Sequence, residues 1–473
     1  MRCLVVEDED AFSEEIVSIL EALPEPPEVR LATDRDTAQA LIDAEFFDLL
    51  ILDLRIPTTA GVLDENPIHG LAVFTHARSV APGMPILLLT ASSAEDFIPT
   101  LLQEAQQIDV WGTRSPISTI QFLKKRELTK LPDVLSTFAT PVADLGRVEI
   151  HSPDFSLPLP YDRLVRIFAR RFGGARCVVT PLGGGLSGAQ VLRLVVTDAA
   201  GGTVHDAVAK LGPIPSIRDE ARRFEAQISR LDPAATPRML AVHEHGGKSD
   251  GGVFYQLAAH FDGTAFDATQ WDERTGELLA HSLEAMTSRW SLNFPQTQKT
   301  VAEIRRRVLN DADKTEILSR HDLPWVDNFE AGVVQTIWCC VHGDLHGENA
   351  LAAKDGRAVL IDYGDVEEGP RCLDPISLEF SLLFHPKSPF LNGSWPTPDQ
   401  ARTWAALDEY LVGCPTPHFV RAVRSWAVRA AAGQRELAAT AYAYFLRQLK
   451  YDTTDGERAK ALLEGARNLW RQT

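Results

Sequence analysis

The sequence predicts an α/β protein in two parts: an N-terminal doubly wound parallel sheet, then an α+β region that turns mainly helical. Three observations predict it. Short apolar runs alternate with amphipathic segments as far as Lys125, strand-like runs joined by glycine-rich turns follow from about Cys177, and helical spacing dominates beyond Asp267. The 473 residues allow two to four compact units, at roughly 100–200 residues each.

In order along the chain, "RCLVV", "DLLILDL" and "PILLLTA" read as buried strands. Between them, "AFSEEIVSILEAL" and "TAQALIDAE" carry apolar residues at helical spacing, and "TIQFLKK" is a further strand. Such alternation predicts a parallel sheet covered on both faces, with its ligand site at the carboxyl ends of the strands. Glu7–Asp8, Asp53 and Thr90 fall at those ends. From Ser136 to Pro160 the pattern weakens, and "SPDFSLPLP" reads as a proline-punctuated linker. The helix "YDRLVRIFARRF" comes next, followed by hairpin-like strands in "CVVTPLGGGLSGAQVLRLVVT", "VHDAVAKLG" and "GGVFYQLAAHF". Between the last two, "SIRDEARRFEAQISRL" reads as helix. The expected divisions are 1–136, a linker 137–160, 161–265 and 266–473.

Composition narrows the classes. Hydrophobic residues make up 45% and charged residues 24%, an ordinary globular balance. A formal charge of -18 counts against nucleic acid and anionic membrane as general partners. The six cysteines have no CxxC spacing, so neither a disulfide framework nor a cysteine metal site is expected. The start "MRCLVVEDED" holds too short an apolar stretch for a signal peptide, and no run approaches a membrane span. A cytoplasmic setting with reduced thiols is the expectation.

Glu7, Asp8 and Asp53 at one sheet edge would crowd like charges, which is costly unless a divalent cation or a lysine sits among them. Oxygen-only ligands suit Mg²⁺, and a carboxylate beside Mg²⁺ can act as a nucleophile toward a phosphoryl group. These residues resemble a response-regulator receiver domain. The resemblance implies an acid pair at Glu7 and Asp8, a phospho-acceptor at Asp53 and a switch threonine at Thr90. It also implies a switch aromatic at Phe122 three residues before the receiver lysine at Lys125, with Lys124 as the alternative. Two segments depart from the family pattern: "RIPTTAGVLDENPIHG" lengthens the loop after the acceptor, and "DVWGTRSPIS" pads the approach to the lysine.

A second constellation lies in "VHGDLHGENALAAKDGRAVLIDYGD". Passing on a nucleotide's terminal phosphoryl group needs metal on the phosphates, a group orienting the acceptor hydroxyl and a cover over the phosphates. Asp344 can take the hydroxyl's proton, Asn349 offers an amide oxygen to Mg²⁺, and Asp362 ends the next strand as a charged ligand. Upstream, Gly183, Gly184, Gly185 and Gly188 let backbone N–H groups approach phosphate, and Ser187 adds a hydroxyl. Lys210 ends the following strand, with Glu220, or alternatively Glu225, to hold it. No Gly-Lys-Ser/Thr follows the glycines, so this is not a Walker A loop.

These residues resemble the aminoglycoside phosphotransferase and choline kinase families, which share the bilobal protein-kinase-like fold. The resemblance implies Asp344 as catalytic base, Asn349 and Asp362 as Mg²⁺ ligands, Lys210 on the ATP phosphates and His342 as a brace for the catalytic loop. It makes 161–265 the N-lobe and 266–473 the C-lobe. Taken singly, several residues have plainer explanations. The glycine run suits a hairpin turn, His346 a loop hydrogen bond, and Glu367 and Glu368 a solvated face. Asp374 before Pro375 reads as a helix N-cap, and the aromatics of "RWSLNF" read as core.

The expected function is therefore an enzyme: a phosphotransferase using Mg²⁺ and ATP, or another nucleoside triphosphate, whose output is set by phosphorylation of Asp53. Its expected partners are a cognate histidine kinase or other phosphodonor and a hydroxyl-bearing acceptor, small molecule or protein, with a homodimer through the receiver left open. The acidic balance leans weakly toward a cationic acceptor. The alternative is a non-catalytic nucleotide-binding scaffold of a bacterial signalling or conflict system.

Overall fold

Short apolar runs buried on both faces build the centre of the first sheet. β1 (Arg2–Val6), β2 (Glu28–Ala32), β3 (Leu49–Leu52), β4 (Ile86–Thr90) and β5 (Ile120–Lys124) pair in parallel in the order β2-β1-β3-β4-β5. The computed structural model describes residues 1–90, 101, 103–153, 155–184, 190–233, 236–257, 261–292 and 294–473. Leu4, Val6, Leu50 and Leu52 point into one core, while Cys3, Val5, Leu49 and Ile51 point into another across the sheet. Helices α1 (Asp10–Glu21), α2 (Arg35–Ala44), α3 (Pro67–Val80) and α4 (Leu131–Gly146) cover these faces. The strand order reverses beside β1, so the carboxyl ends of β1 and β3 open on the crevice where such sheets bind ligands.

The stretch expected as a linker, 137–160, is largely structured. Leu131 to Gly146 is one helix through Pro141, because Leu131, Leu135, Phe138, Val142 and Leu145 repeat at helical spacing and are all buried. Their burial outweighs the cost of an internal proline. Two residues later β6 (Glu149–His151) joins the second sheet in parallel, pairing Glu149 with Arg176. Only the region before α5 (Leu159–Arg171) is irregular.

The second sheet continues with β7 (Arg176–Gly184), β8 (Gln190–Thr197), β9 (Thr203–Pro213), β10 (Met239–Gly247) and β11 (Asp250–Gln256). Its order is β10-β11-β9-β8-β7-β6, antiparallel except at β6. α5 lays Leu164, Val165, Phe168 and Ala169 on Cys177, Val179, Leu192 and Leu194, and Phe168 stacks on Phe254 with centroids 4.3 Å apart. α6 (Ile214–Ala226) follows β9.

Residues 1–221 with 239–257 form one compact unit, and residues 222–238 with 258–473 form the other. Inside the first unit, the two sheets' subdomains are packed together. The padding segment carries much of that contact: Val110 and Trp111 are buried, and Ile167 of α5 shares their core. Gly112 has φ +68° and a Cβ there would lie 2.5 Å from the Ile167 carbonyl oxygen, so the close approach requires glycine. Arg114 donates twice to the Arg171 carbonyl, at 3.1 and 2.8 Å. Arg163 pairs with buried Asp48 at 3.1 Å, and Lys248 donates to the Asp43 carbonyl at 2.6 Å.

The second unit is mainly helical. α7 (Glu273–Ser288), α8 (Leu373–Phe384), α9 (Pro417–Ala430), α10 (Gln434–Gln448) and α11 (Gly456–Gln472) are its longest helices, and every residue of α8 is buried. Small sheets interrupt them: β12 (Gly263–Thr264), β13 (Gln296–Thr300), β14 (Val333–Val341), β15 (Ala350–Ala352), β16 (Ala358–Leu360) and β17 (Glu367–Pro370). Trp290 is core, as expected, but Phe294 is 36% exposed, since it lies past the last helical turn that would have directed it inward. Among the described residues, no helix is long and apolar enough to cross a membrane.

Candidate functional site

The first candidate site sits at the ends of β1 and β3. Glu7, Asp8 and Asp53 each offer a carboxylate oxygen within 4.8 Å of the others. Lys125 enters from the end of β5, 2.7 Å from Asp53 Oδ2 and 2.8 Å from Glu7 Oε1, with its ammonium 4.7 Å from the Phe12 ring centroid. Asp53 Oδ1 accepts from the Arg55 N–H at 3.1 Å. Burial pushes Glu7 up to about 7, partly offset by Lys125, and burial also raises Asp8. Burial works against the charge on Lys125, yet Asp53 and Glu7 together hold its pKa above the ordinary value. Glu7 Oε2 is buried with no hydrogen-bond partner. An orphaned acceptor among three carboxylates is what a hard cation such as Mg²⁺ would satisfy.

The remaining receiver positions are placed as follows. Lys125, and not Lys124, makes the bonds to Asp53 and Glu7. Thr90 ends β4 opposite Lys124, and its side chain lies outside the described residues. Phe122 is half-buried against the core on one face of the sheet. The lengthened loop after Asp53 is tied by Asp64, which accepts from the Thr58 N–H at 2.9 Å and the Thr58 hydroxyl at 2.7 Å.

In the second sheet, Lys210 on β9 lies 3.3 Å from Glu220 on α6, and Tyr255 on β11 donates its hydroxyl to the same carboxylate at 2.8 Å. Glu225 is exposed. Gly183 and Gly184 end β7, whereas Gly185, Ser187 and Gly188 lie outside the described residues.

The third cluster belongs to the helical unit and grows from the end of β14. Gly343 has φ +83°, and a Cβ there would meet the Asp365 carbonyl oxygen at 2.5 Å, so the chain can turn only at glycine. His342 and Gly343 donate their backbone N–H groups to buried Asp374, at 2.8 and 3.0 Å. Asp374 sits inside α8 rather than at its N-cap, which is Cys372. The cap reading fails because the carboxylate turns to the two orphaned N–H groups of the preceding loop. His342 Nε2 pairs with the Ile361 carbonyl at 3.0 Å.

The β15–β16 hairpin completes the cluster. Asn349 Nδ2 donates to the Asp344 carbonyl at 2.9 Å, and the Asn349 carbonyl accepts from Ile361 N–H at 2.9 Å. The ladder pairs Ala350 with Leu360, so Asn349 faces Ile361 at its open end, with Asp362 the next residue. Asp362 is exposed and adopts φ +62°, a left-handed conformation uncommon for aspartate. With Nδ2 committed to the Asp344 carbonyl, Asn349 keeps Oδ1 as a neutral oxygen of the kind that suits Mg²⁺. The His346 ring lies tilted against His385 with centroids 4.3 Å apart, and burial pulls its pKa down to about 4.

Two contributors were missed in the sequence. Asp374 before Pro375 has the signature of a helix cap, which hides its bonds to the loop. Arg447, on α10, reaches Asp344 from 103 residues away, and no motif in the sequence marks it.

Residues 3–108 match the response regulator receiver domain, and residues 175–277 match ternary complex associated domain 9. A comparison with curated proteins finds no match. Among solved structures the chain is similar to a CheY-like receiver domain protein from Methanospirillum hungatei. That match has 24% identity and TM-score 0.22, and covers 30% of this chain and 97% of that one. It is also similar to a thermostable mutant of aminoglycoside phosphotransferase APH(4)-Ia solved with ADP and hygromycin B. Identity there is 14%, TM-score 0.35 and coverage 64% of this chain and 98% of that one. The phosphorylated cyanobacterial phytochrome response regulator RcpA matches at 19% identity and TM-score 0.23, over 29% of this chain and 94% of that one.

The class is thus a two-part α/β chain: a doubly wound parallel-sheet domain followed by a mixed α/β region. More particularly, its N-terminal part is a response regulator receiver domain.

Proposed function

We propose that this chain is an ATP-dependent phosphotransferase controlled by phosphorylation of its receiver. The observation that supports this most is the hydrogen bond from Asn349 Nδ2 to the Asp344 carbonyl beside the β15–β16 hairpin, whose second strand leads through Ile361 to Asp362. In the reaction, an acceptor hydroxyl oxygen forms a bond to the γ-phosphorus as the bond to the β–γ bridging oxygen breaks. ADP leaves with that electron pair, and the hydroxyl proton passes to the Asp344 carboxylate. Asn349 and Asp362 would hold Mg²⁺, which when bound neutralises phosphate charge. Lys210, steadied by Glu220, would pair with the phosphates, and Gly183, Gly184, Gly185, Ser187 and Gly188 would supply backbone and hydroxyl donors.

In the receiver, Asp53 would take phosphate from a histidine kinase or other phosphodonor, beside Mg²⁺ held by Glu7 and Asp8. Lys125 would transfer its bond from Asp53 to a phosphoryl oxygen, and Thr90 and Phe122 would carry the change to the receiver surface. A homodimer through the receiver is one route for the coupling, and the acceptor is a small molecule or a protein in the cytoplasm. A second reading, a nucleotide-binding scaffold, is favoured by the match to a domain described as associated with a ternary complex.

Incubation with Mg²⁺ and γ-labelled ATP, with Asp53 loaded with beryllofluoride or replaced by asparagine, separates the two. Label should leave ATP in the wild type at a rate that depends on the state of Asp53. Asp344→Ala should still bind ATP but release label roughly 100-fold more slowly. ATP that binds and is never consumed, with any acceptor offered, leaves the scaffold standing.

A further inference from the structure

The Asp344 carboxylate is addressed from two sides. Arg447 Nη1 lies 3.4 Å from Oδ1, and His346 Nε2 lies 3.7 Å from Oδ2. Only one of these bases is a fixed cation. Burial draws His346 down to about 4, so its ring is neutral at physiological pH. For Arg447 burial opposes the charge, and Asp344 together with Tyr451 and Tyr444 outweighs it, raising the pKa above the ordinary value.

The pair does not look like the structural ion pairs of the same unit. Arg424 grips Glu379 through two nitrogens with side chains 3% and 1% exposed, and Arg305 grips Glu330 through bonds of 2.9 and 3.1 Å. Those forks are saturated. Arg447 instead makes one long contact to Asp344 and one to the Tyr451 hydroxyl at 3.3 Å, and its side chain stays 23% exposed. Among the described residues Nη2 has no hydrogen-bond partner. A guanidinium held beside the group that receives the acceptor's proton, with a donor to spare, is placed to act during transfer rather than to tie helices together.

We propose that Arg447 is a positioning residue of the phosphoryl-transfer site: it holds Asp344 by Oδ1 so that Oδ2 meets the acceptor hydroxyl. Its remaining N–H is then available to the negative charge on the phosphoryl oxygens as the bridging bond breaks. This rests on the enzyme reading above and assigns the site a cation that its own loop does not supply.

The test is steady-state consumption of Mg²⁺–ATP by the full chain carrying Arg447→Ala, Arg447→Met or Arg447→Lys. Arg447→Ala and Arg447→Met should lower kcat roughly 100-fold, with KM for ATP within about threefold of wild type. Added guanidinium ion should restore Arg447→Ala at least about tenfold, and Arg447→Lys should keep an intermediate rate. Unchanged kcat in the alanine variant overturns the inference, as does a loss that guanidinium fails to relieve. A wild type that binds ATP and never consumes it overturns the enzyme reading, and this assignment with it. Turnover in wild type and variants alike overturns only the assignment.

Discussion

Asp374 anchors the turn at His342 and Gly343. Its two oxygens accept from the N–H groups of His342 and Gly343, it is only 2% exposed, and burial raises its pKa. Asp374→Ala would leave two buried donors without partners, so the loss of stability should be about 2–5 kcal/mol. Asp374→Asn, which keeps one acceptor oxygen, should lose less. Urea denaturation of both variants checks this, and equal loss in the two would show that the acceptor count does not matter. Asp344, Asn349 and Asp362 lie within one short stretch, so a proposal joining them could be made from spacing alone. Asp374 and Arg447 reach that stretch through folding of distant chain, and a carboxylate or guanidinium leaves no periodic trace of such contacts.

The hairpin of β10 and β11 has an electrostatic consequence of its own. His243 on β10 is buried with its ring 5.2 Å from Phe254, and burial pulls its pKa from 6.5 to about 3, with Arg171 adding to the fall. Burial also lowers His245. Between these limits the unfolded chain binds a proton that the folded hairpin refuses. The stability His243 contributes is therefore complete above about pH 6.5 and is lost as pH falls toward 3, by up to ~1.4 kcal/mol per pH unit. His243→Phe should flatten the pH dependence of the unfolding free energy over that window by up to one proton. An unchanged slope would mean the ring is solvated in the native state.

At this scale the strands and helices with unbroken apolar periods were readable, and the parallel sheet followed from their alternation. The two misread segments were read by the wrong signal. The pattern weakens from Ser136 onward although five apolar positions around Pro141 bury together, and the insertion before β5 reads as padding although Trp111 is 3% exposed.

Across the first compact unit, receiver and second sheet share a core. Trp111 packs against Phe138 of α4 with centroids 6.3 Å apart, and Ile167 of α5 belongs to the same buried cluster. Trp111→Ala should cost about 3–5 kcal/mol, and hydrogen exchange should report the loss in both β5 and α5. Faster exchange confined to the receiver would show that the two subdomains open separately.

Arg147 and Val148 alone separate the last helix of the receiver from β6, and β6 is already an edge strand of the next sheet. A tether that short has no slack. The receiver of this chain is therefore not an interchangeable cassette: transplanting it onto another output module, or grafting a foreign receiver in its place, would sever a strand from its ladder.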